Sequence, residues 1–371
     1  MQLKVVFFTI TNDKYVTFNA GKSAEELAKA AIKYAKENSI EADKTSSDIA
    51  NGTVTFDNLS LGYYLVDSTV GSLCNLTTTN PIVEIQEKSD VPTVDKTVSN
   101  SEQGAYNKSS FANIGDRVYF NSEITVKAGA ENYVLHDKMD AGLTLDTKSV
   151  KVKLNDKFLT QDTDYQEITN ITDESENSKC TFHITFKDGF YNEIKSNNKV
   201  TVTYSAILNE NAFIGHDENS DGNKNKTWLG YGDSKITVES KVNVFTLKLP
   251  VYKYTMKDGT KTGLKNAKFK LYDSNNKIIN LVKPNETEEV YRKALGTETS
   301  TIQEIMTTNA GKFTIQGLAP GIYYLEETEA PKGYNKLVKK IKVEIQEHGT
   351  LVVDDKTTVE NKGAINLDGV R

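Results

Sequence analysis

From about residue 90 onward, apolar side chains recur at every second position, with no helical stretch between them. Val118, Phe120, Ile124 and Val126 alternate with polar residues, as do Val200, Val202 and Tyr204, and then Ile236, Val238, Val242 and Val244. A period of two sends successive side chains to opposite faces of a strand. Many such strands separated by polar turns describe a β-sandwich rather than a parallel sheet covered by helices. The composition agrees: Tyr, Thr, Val, Asn and Asp are prominent, with six Pro and a single Trp, which suits strands joined by polar turns. At 371 residues several small cores are expected rather than one.

The beginning of the chain reads differently. Ser23 and Glu26 stand at capping-box spacing ahead of Leu27, Ala30, Ala31 and Tyr34, which predicts one amphipathic helix over roughly residues 23 to 38. Val5–Ile10 and Thr53–Phe56 read as strands, and Gly62-Tyr63-Tyr64-Leu65-Val66 as a buried strand entered through a glycine turn. The boundaries expected are 1–89 for a mixed first domain, 90–245 for a sandwich and 246–371 for a third domain. Val54-Thr55-Phe56-Asp57-Asn58-Leu59 with Gly62 and Tyr63-Tyr64-Leu65 recurs as Phe313-Thr314-Ile315-Gln316-Gly317-Leu318 with Gly321 and Tyr323-Tyr324-Leu325. The first and third domains are therefore expected to share a fold.

Several function classes fall away. The net charge of -6 is modest and the basic residues are scattered, so no nucleic-acid stripe or membrane-surface patch is expected. No apolar run approaches the ~18 residues needed to cross a bilayer, and the N-terminus does not read as a secretion signal. That pattern fits a cytosolic protein or a chain trimmed of its leader. The two cysteines, Cys74 and Cys180, fall in different expected domains and cannot make a disulfide framework. The four His show no metal spacing, and neither Cys has a paired His in sequence, so no metal and no cofactor are expected. Asp217–Gly222 starts like a calcium loop, but Trp228 stands where a bidentate Glu belongs. A chain of this kind working outside the cell needs another staple.

The segment Tyr323–Tyr334 carries a candidate for it. By strand alternation Tyr323, Leu325 and Glu327 face one side; if that side is the core, Glu327 is a buried acid that burial favours in its neutral form. Lys253, in the strand Leu249–Lys253, and Asn361, in the expected closing strand Thr357–Asn361, bracket the same domain. A desolvated lysine loses its charge, and its free amine can attack a carboxamide that a neutral acid polarises.

These residues resemble the backbone pilins of Gram-positive bacteria, sortase-assembled shaft subunits built from Ig-like domains with internal isopeptide bonds. Tyr323–Tyr334 matches that family's E box, Tyr-x-Leu-x-Glu-Thr-x-Ala-Pro-x-Gly-Tyr, at every fixed position. The resemblance implies a mainly β chain of tandem Ig-like, Cna-type sandwiches with one helix in the first domain. It implies Lys253 as nucleophile, Glu327 as catalytic acid and Asn361 as acceptor. In the middle domain, Val91–Lys96, Val134–Met139 and Asn225–Tyr231 resemble the family's larger sandwich, which implies Lys96 as nucleophile, Asp137 as acid and Asn225 as acceptor. It further implies Lys88 as the lysine joining neighbouring subunits, although the usual Tyr and Pro before it are missing. Asp67, opposite Glu327 in the repeat, hints at a third crosslink, but without an evident lysine it reads rather as a stabilising buried Asp or a turn residue.

By the same resemblance the chain is expected to be a secreted, wall-attached fimbrial subunit that is not an enzyme beyond one self-crosslinking turnover. Its expected partners are identical pilin subunits, a sortase, accessory pilins and host surface ligands, with no nucleic acid and no membrane insertion. A sorting signal is expected after Leu367, where the sequence instead reads Asp368-Gly369-Val370-Arg371, so the chain reads as truncated at both ends. Two alternatives stay open: an accessory pilin or monomeric wall-anchored adhesin binding a host ligand, and an enzyme carried on sandwiches. For the latter no nucleophile elbow, metal set or second pair of carboxylates is apparent.

Overall fold

The alternating segments pair into two stacked-sheet sandwiches preceded by a small mixed α/β region. The computed structural model describes residues 8–11, 15–18, 24–45, 54–67, 72–85, 91–127, 132–169, 180–215, 222–232, 235–353 and 364–370. In the first region β1 (Phe8–Thr11) pairs with β2 (Tyr15–Phe18), and β3 (Gly62–Val66) with β4 (Ser72–Leu76), both antiparallel. A helix spans Ala24–Glu37. Leu27 and Ala31 are buried in it, with Ala30, Tyr34 and Leu65 packed against them, the stripe that helical spacing predicts. It ends where Asn38 Nδ2 donates to the Tyr34 carbonyl (2.9 Å) and Ser39 turns to φ 50°.

Three expectations here need correction. Val54–Phe56 is irregular rather than a strand, and Val54 is exposed. β3 is half-buried, with Tyr63 exposed; among the described residues it pairs with β4 alone, and only its Leu65 packs against the buried helix residues. The apolar row Ile236–Val244 is broken: Ile236 and Val238 are exposed while Val242 and Val244 are buried. Val5–Phe7, Ser23 and Thr53 lie outside the described residues. The internal repeat does persist in the backbone: Asn58 and Gly317 share a left-handed φ, 59° and 79°, and Gly62 and Gly321 share φ of 156° and 149°.

In chain order the middle sandwich comprises β5 (Thr93–Ser99), β6 (Ser109–Phe111), β7 (Arg117–Thr125), β8 (Val134–Met139), β9 (Leu143–Leu145), β10 (Lys151–Leu154), β11 (Lys157–Phe158), β12 (Tyr165–Thr169), β13 (Phe182–Phe186), β14 (Lys199–Leu208), β15 (Asn223–Tyr231), β16 (Lys235–Ile236) and β17 (Ser240–Phe245). One sheet runs β11-β10-β14-β7-β5 with β9 also on β14; the other runs β12-β13-β8-β15-β17-β6 with β16 on β15. Their inner faces interdigitate through Val98, Phe120, Ile124, Leu135, Phe182, Ile184, Val202 and Val242, all fully buried. Each such side chain contributes roughly 1.5–3 kcal/mol of apolar burial, which fixes the register, because a slip by one residue would turn the whole inner row to water.

The C-terminal sandwich comprises β18 (Leu247–Lys257), β19 (Thr260–Gly263), β20 (Lys268–Tyr272), β21 (Leu281–Val282), β22 (Val290–Lys293), β23 (Ile305–Met306), β24 (Lys312–Leu318), β25 (Gly321–Glu329), β26 (Ile341–Ile345), β27 (Leu351–Val353) and β28 (Ile365–Asp368). Its sheets run β19-β18-β24-β22-β21, with β28 parallel to β18, and β23-β20-β25-β26-β27. The expected closing strand Thr357–Asn361 lies outside the described residues. β28 pairs with the first strand and places Ile365 and Leu367 in the core.

The two sandwiches meet at a tight joint. The Ile114 amide donates to the Gly317 carbonyl (3.0 Å), and Asn113 Oδ1 accepts from the Ala319 amide (2.9 Å) and the Tyr323 hydroxyl (3.2 Å). Lys293 Nζ donates to Asp116 Oδ1 (2.7 Å) and the Ile114 carbonyl (3.1 Å). A Cβ on Gly317 would come within 2.7 Å of Ile114 Cδ1, whereas one on Gly259, at a similar φ of 75°, meets nothing within 4 Å. Gly317→Ala should therefore lower stability by roughly 1–3 kcal/mol beyond Gly259→Ala. Equal shifts in melting temperature for the two variants would dismiss the joint as a packed contact.

Candidate functional site

In the middle sandwich three titratable or amide side chains converge between the sheets. Lys96 projects inward from β5, Asp137 from β8 and Asn225 from β15, and all three are fully buried. β15 and β8 run antiparallel with Thr227 opposite Asp137 and Asn225 opposite Met139, so Asn225 and Asp137 are diagonal neighbours on one face. Lys96 comes from the other sheet. Its Nζ donates to Asp137 Oδ2 (2.5 Å) and lies 3.3 Å from Ser122 Oγ. Burial pushes the Lys96 ammonium pKa down and the Asp137 carboxyl pKa up, against the opposing pull of their mutual attraction.

Two residues of this cluster were not singled out from the sequence for this chemistry. The Tyr204 hydroxyl on β14 bonds both Lys96 Nζ and Asp137 Oδ2, and accepts from Asn225 Nδ2 (3.0 Å). Burial raises the Tyr204 pKa well above the ordinary phenol value, and the Asp137 carboxyl adds to it. Ser122 is also fully buried, on β7 between Phe120 and Ile124. The signal available was a polar atom at an inward-facing strand position, which is costly unless it is bonded. The rings of Phe120 (5.3 Å) and Phe182 (5.0 Å) pack on Tyr204 and enclose the cluster in apolar surroundings. Within it, Asp137 Oδ1 and Asn225 Oδ1 are buried without a hydrogen-bond partner among the described residues.

The C-terminal sandwich repeats part of this arrangement. Along β25 Tyr323, Leu325 and Glu327 are buried and the residues between them less so, as alternation predicts. Lys253 on β18 places Nζ 3.0 Å from Glu327 Oε1, with both side chains fully buried. A bulge between Lys268 and Phe269 leaves Thr328 without a directly opposed residue and sets Glu327 opposite Phe269. After the strand, Gly333 turns at φ 88°, and the Leu337 amide donates to Glu327 Oε2 (2.9 Å). Among the described residues Lys253 Nζ and Glu327 Oε1 have no well-aligned hydrogen-bond partner. Leu367 of β28 occupies the register position opposite Lys253. Asn361 and Lys88 lie outside the described residues, as does most of the calcium-like loop, Asp217–Asp221.

Asp67 is exposed, unlike its repeat counterpart Glu327. Cys74 and Cys180 form no disulfide. The reading of Cys180 as a thiol without a paired histidine does not survive: strand pairing brings it to His136 and His183, which sequence spacing could not show. Among the described residues no helix is long and apolar enough to cross a membrane.

Two family models match the chain: "Gram-positive pilin backbone subunit 2, Cna-B-like domain" over residues 114–235, and the SpaA "prealbumin-like fold domain" over residues 251–358. Among curated proteins no match was found. The pilus 2b backbone protein of group B streptococcus is 25% identical, with a TM-score of 0.52 over 74% of this chain and 95% of that one. The 35 kDa C-terminal fragment of the major pilin GBS80 of Streptococcus agalactiae is 22% identical, with a TM-score of 0.54 over 76% of this chain and 100% of that one. The T6 backbone pilin of serotype M6 Streptococcus pyogenes, described as a modular three-domain structure, shares the fold at 16% identity, with a TM-score of 0.55 over 98% of this chain and 89% of that one. A domain of the Gram-positive pilin-backbone type and a prealbumin-like domain thus stand in tandem over residues 114–235 and 251–358, on a scaffold similar to that of streptococcal backbone pilins.

Proposed function

We propose that this chain is a shaft subunit of a covalently polymerised surface pilus, with domains at 1–89, 90–245 and 246–371, and that it forms Lys–Asn isopeptide bonds within its own sandwiches. The observation that carries this reading is the dry Lys96–Asp137–Tyr204–Asn225 cluster between the two sheets of the middle sandwich. A structural ion pair alone does not account for Asn225, an amide buried beside it with its oxygen unbonded.

The reaction follows from the proton inventory. With the proton on Asp137, Lys96 is a neutral amine and the acid is a donor. With the Asn225 carboxamide turned so that its oxygen faces the acid, Asp137 donates to it and polarises the carbonyl, satisfying two orphaned acceptors with one proton. Lys96 Nζ attacks Asn225 Cγ, and a proton from the amine passes through the Asp137 carboxyl to Asn225 Nδ2. The Cγ–Nδ2 bond breaks and ammonia leaves. An amide joins Lys96 to Asn225, and Asp137 ends protonated as it began. Tyr204, bonded to all three, holds them in place, and the aromatic walls keep out water that would stabilise the charged pair.

In the C-terminal sandwich Lys253 and Glu327 play the same parts, and Asn361 is the proposed acceptor. Asn361 precedes Leu367 by an even number of residues, so a strand running through both would present them on one face. A bond to Asn361 therefore calls for a register in which it takes the place of Leu367 opposite Lys253. Lys88 is the proposed inter-subunit lysine, with a sortase as the joining enzyme and the cell wall as the final attachment. On the chain-entropy argument used for disulfides, the middle crosslink is worth on the order of 5 kcal/mol; an amide also survives reduction.

The intact chain should weigh two ammonia molecules less than its sequence mass, and Lys96→Ala, Asp137→Ala or Glu327→Ala one ammonia less. A wild-type chain at full sequence mass would sink the bonds, and linked peptides that join Lys253 to a residue other than Asn361 would reassign the acceptor. Asp137→Ala, which strands a buried lysine, should also cost about 3–5 kcal/mol before any covalent effect, read as a lower melting temperature than that of Lys96→Met. In an assembling strain, Lys88→Arg should abolish the ladder of covalent polymers; a persisting ladder places the linkage elsewhere.

A further inference from the structure

The outward face of the seven-stranded sheet carries a second cluster, on the opposite side of β8 from Asp137. Strand pairing sets His183 of β13 opposite His136 of β8, and His136 opposite Trp228 of β15. The His136 and Trp228 rings stack at 5.2 Å and 8° apart, and the His183 ring stands edge-on to His136 at 5.8 Å. Cys180, just before β13, is buried and brings Sγ to 3.7 Å from His136 Nδ1. One ligand-type atom from each of His136, Cys180 and His183 lies within 4.8 Å of the others. The chain holds only four His and two Cys, so half of each type meet at this spot.

We propose that His136, Cys180 and His183 bind one divalent cation of the zinc class. Two imidazoles and a thiolate select a borderline-soft transition metal over calcium or magnesium, whose ligands are oxygens. Zinc–nitrogen and zinc–sulfur bonds of about 2.0 and 2.3 Å put neighbouring tetrahedral donors roughly 3.5 Å apart. The Cys180–His136 separation already stands near that value, and the His183 ligand atom lies within 4.8 Å of both. On binding, Cys180 Sγ gives its proton to solvent and both histidines coordinate as neutral imidazoles. No electron transfer is involved. Trp228 walls one flank of His136, and water fills the remaining position. The cation clamps β8 to the start of β13, and this assignment is independent of the isopeptide reading.

Titration of the purified, reduced full chain with Co²⁺ tests it. One equivalent should bind with thiolate-to-cobalt charge-transfer absorption, and Zn²⁺ should displace it and raise the melting temperature. Cys180→Ser should abolish the charge-transfer absorption and the Zn²⁺-dependent melting shift. His183→Asn should weaken binding at least tenfold, while Cys74→Ser and His348→Asn should leave both readouts intact. A wild-type chain that takes up no cobalt at one equivalent, or charge-transfer absorption that persists in Cys180→Ser, overturns the proposal.

Discussion

A lysine and a carboxylic acid closed between two apolar sheets is the interaction on which both sandwiches are organised. Removing two charges from water costs several kcal/mol each, and their attraction offsets this only when geometry and further hydrogen bonds are good. Lys96 reaches that state with Asp137, Tyr204 and Ser122 around its amine. Lys253 Nζ has Glu327 at 3.0 Å and, among the described residues, no well-aligned hydrogen bond. The middle cluster is complete in its non-covalent form, whereas the C-terminal pair lacks a third member among the described residues.

The placement of these pairs follows from topology. Each lysine sits on the opening strand of its sandwich, β5 or β18, and each acid on a strand of the facing sheet, β8 or β25. A bond from β5 to Asn225 on β15 would tie the sheets to each other and the start of the domain to its late strands. A load applied along the chain would enter through such terminal strands, and the proposed sheet-to-sheet tie would oppose the first step of peeling. The joint built by Ile114, Gly317, Asn113 and Lys293 extends this logic by holding one sandwich against the next. Neither cysteine forms a disulfide, and the proposed amide crosslinks would hold whatever the redox conditions.

The two faces of β8 carry different chemistry within consecutive residues. Asp137 turns inward to Lys96 while His136 turns outward to Cys180, His183 and Trp228. Pleating makes this separation automatic. The proposed clamp on the outer row would therefore bear on the position of the inner acid without touching it.

Strand alternation made much of this legible in the sequence. It put Tyr323, Leu325 and Glu327 on one buried face, picked out Val200, Val202 and Tyr204 as an inner row, and found the helix over Ala24–Glu37 from its i, i+3, i+4 stripe. Such patterns are local, since each residue's face depends only on its parity or turn. Alternation could not tell that Val238 would be exposed or that Val54–Phe56 would be irregular with Val54 exposed, because burial depends on what covers a segment. Nor could it show that Tyr204 bridges Lys96 and Asn225, or that His136, Cys180 and His183 share one patch. Those meetings join residues tens of positions apart, and only the register of paired strands and the stacking of two sheets decide them.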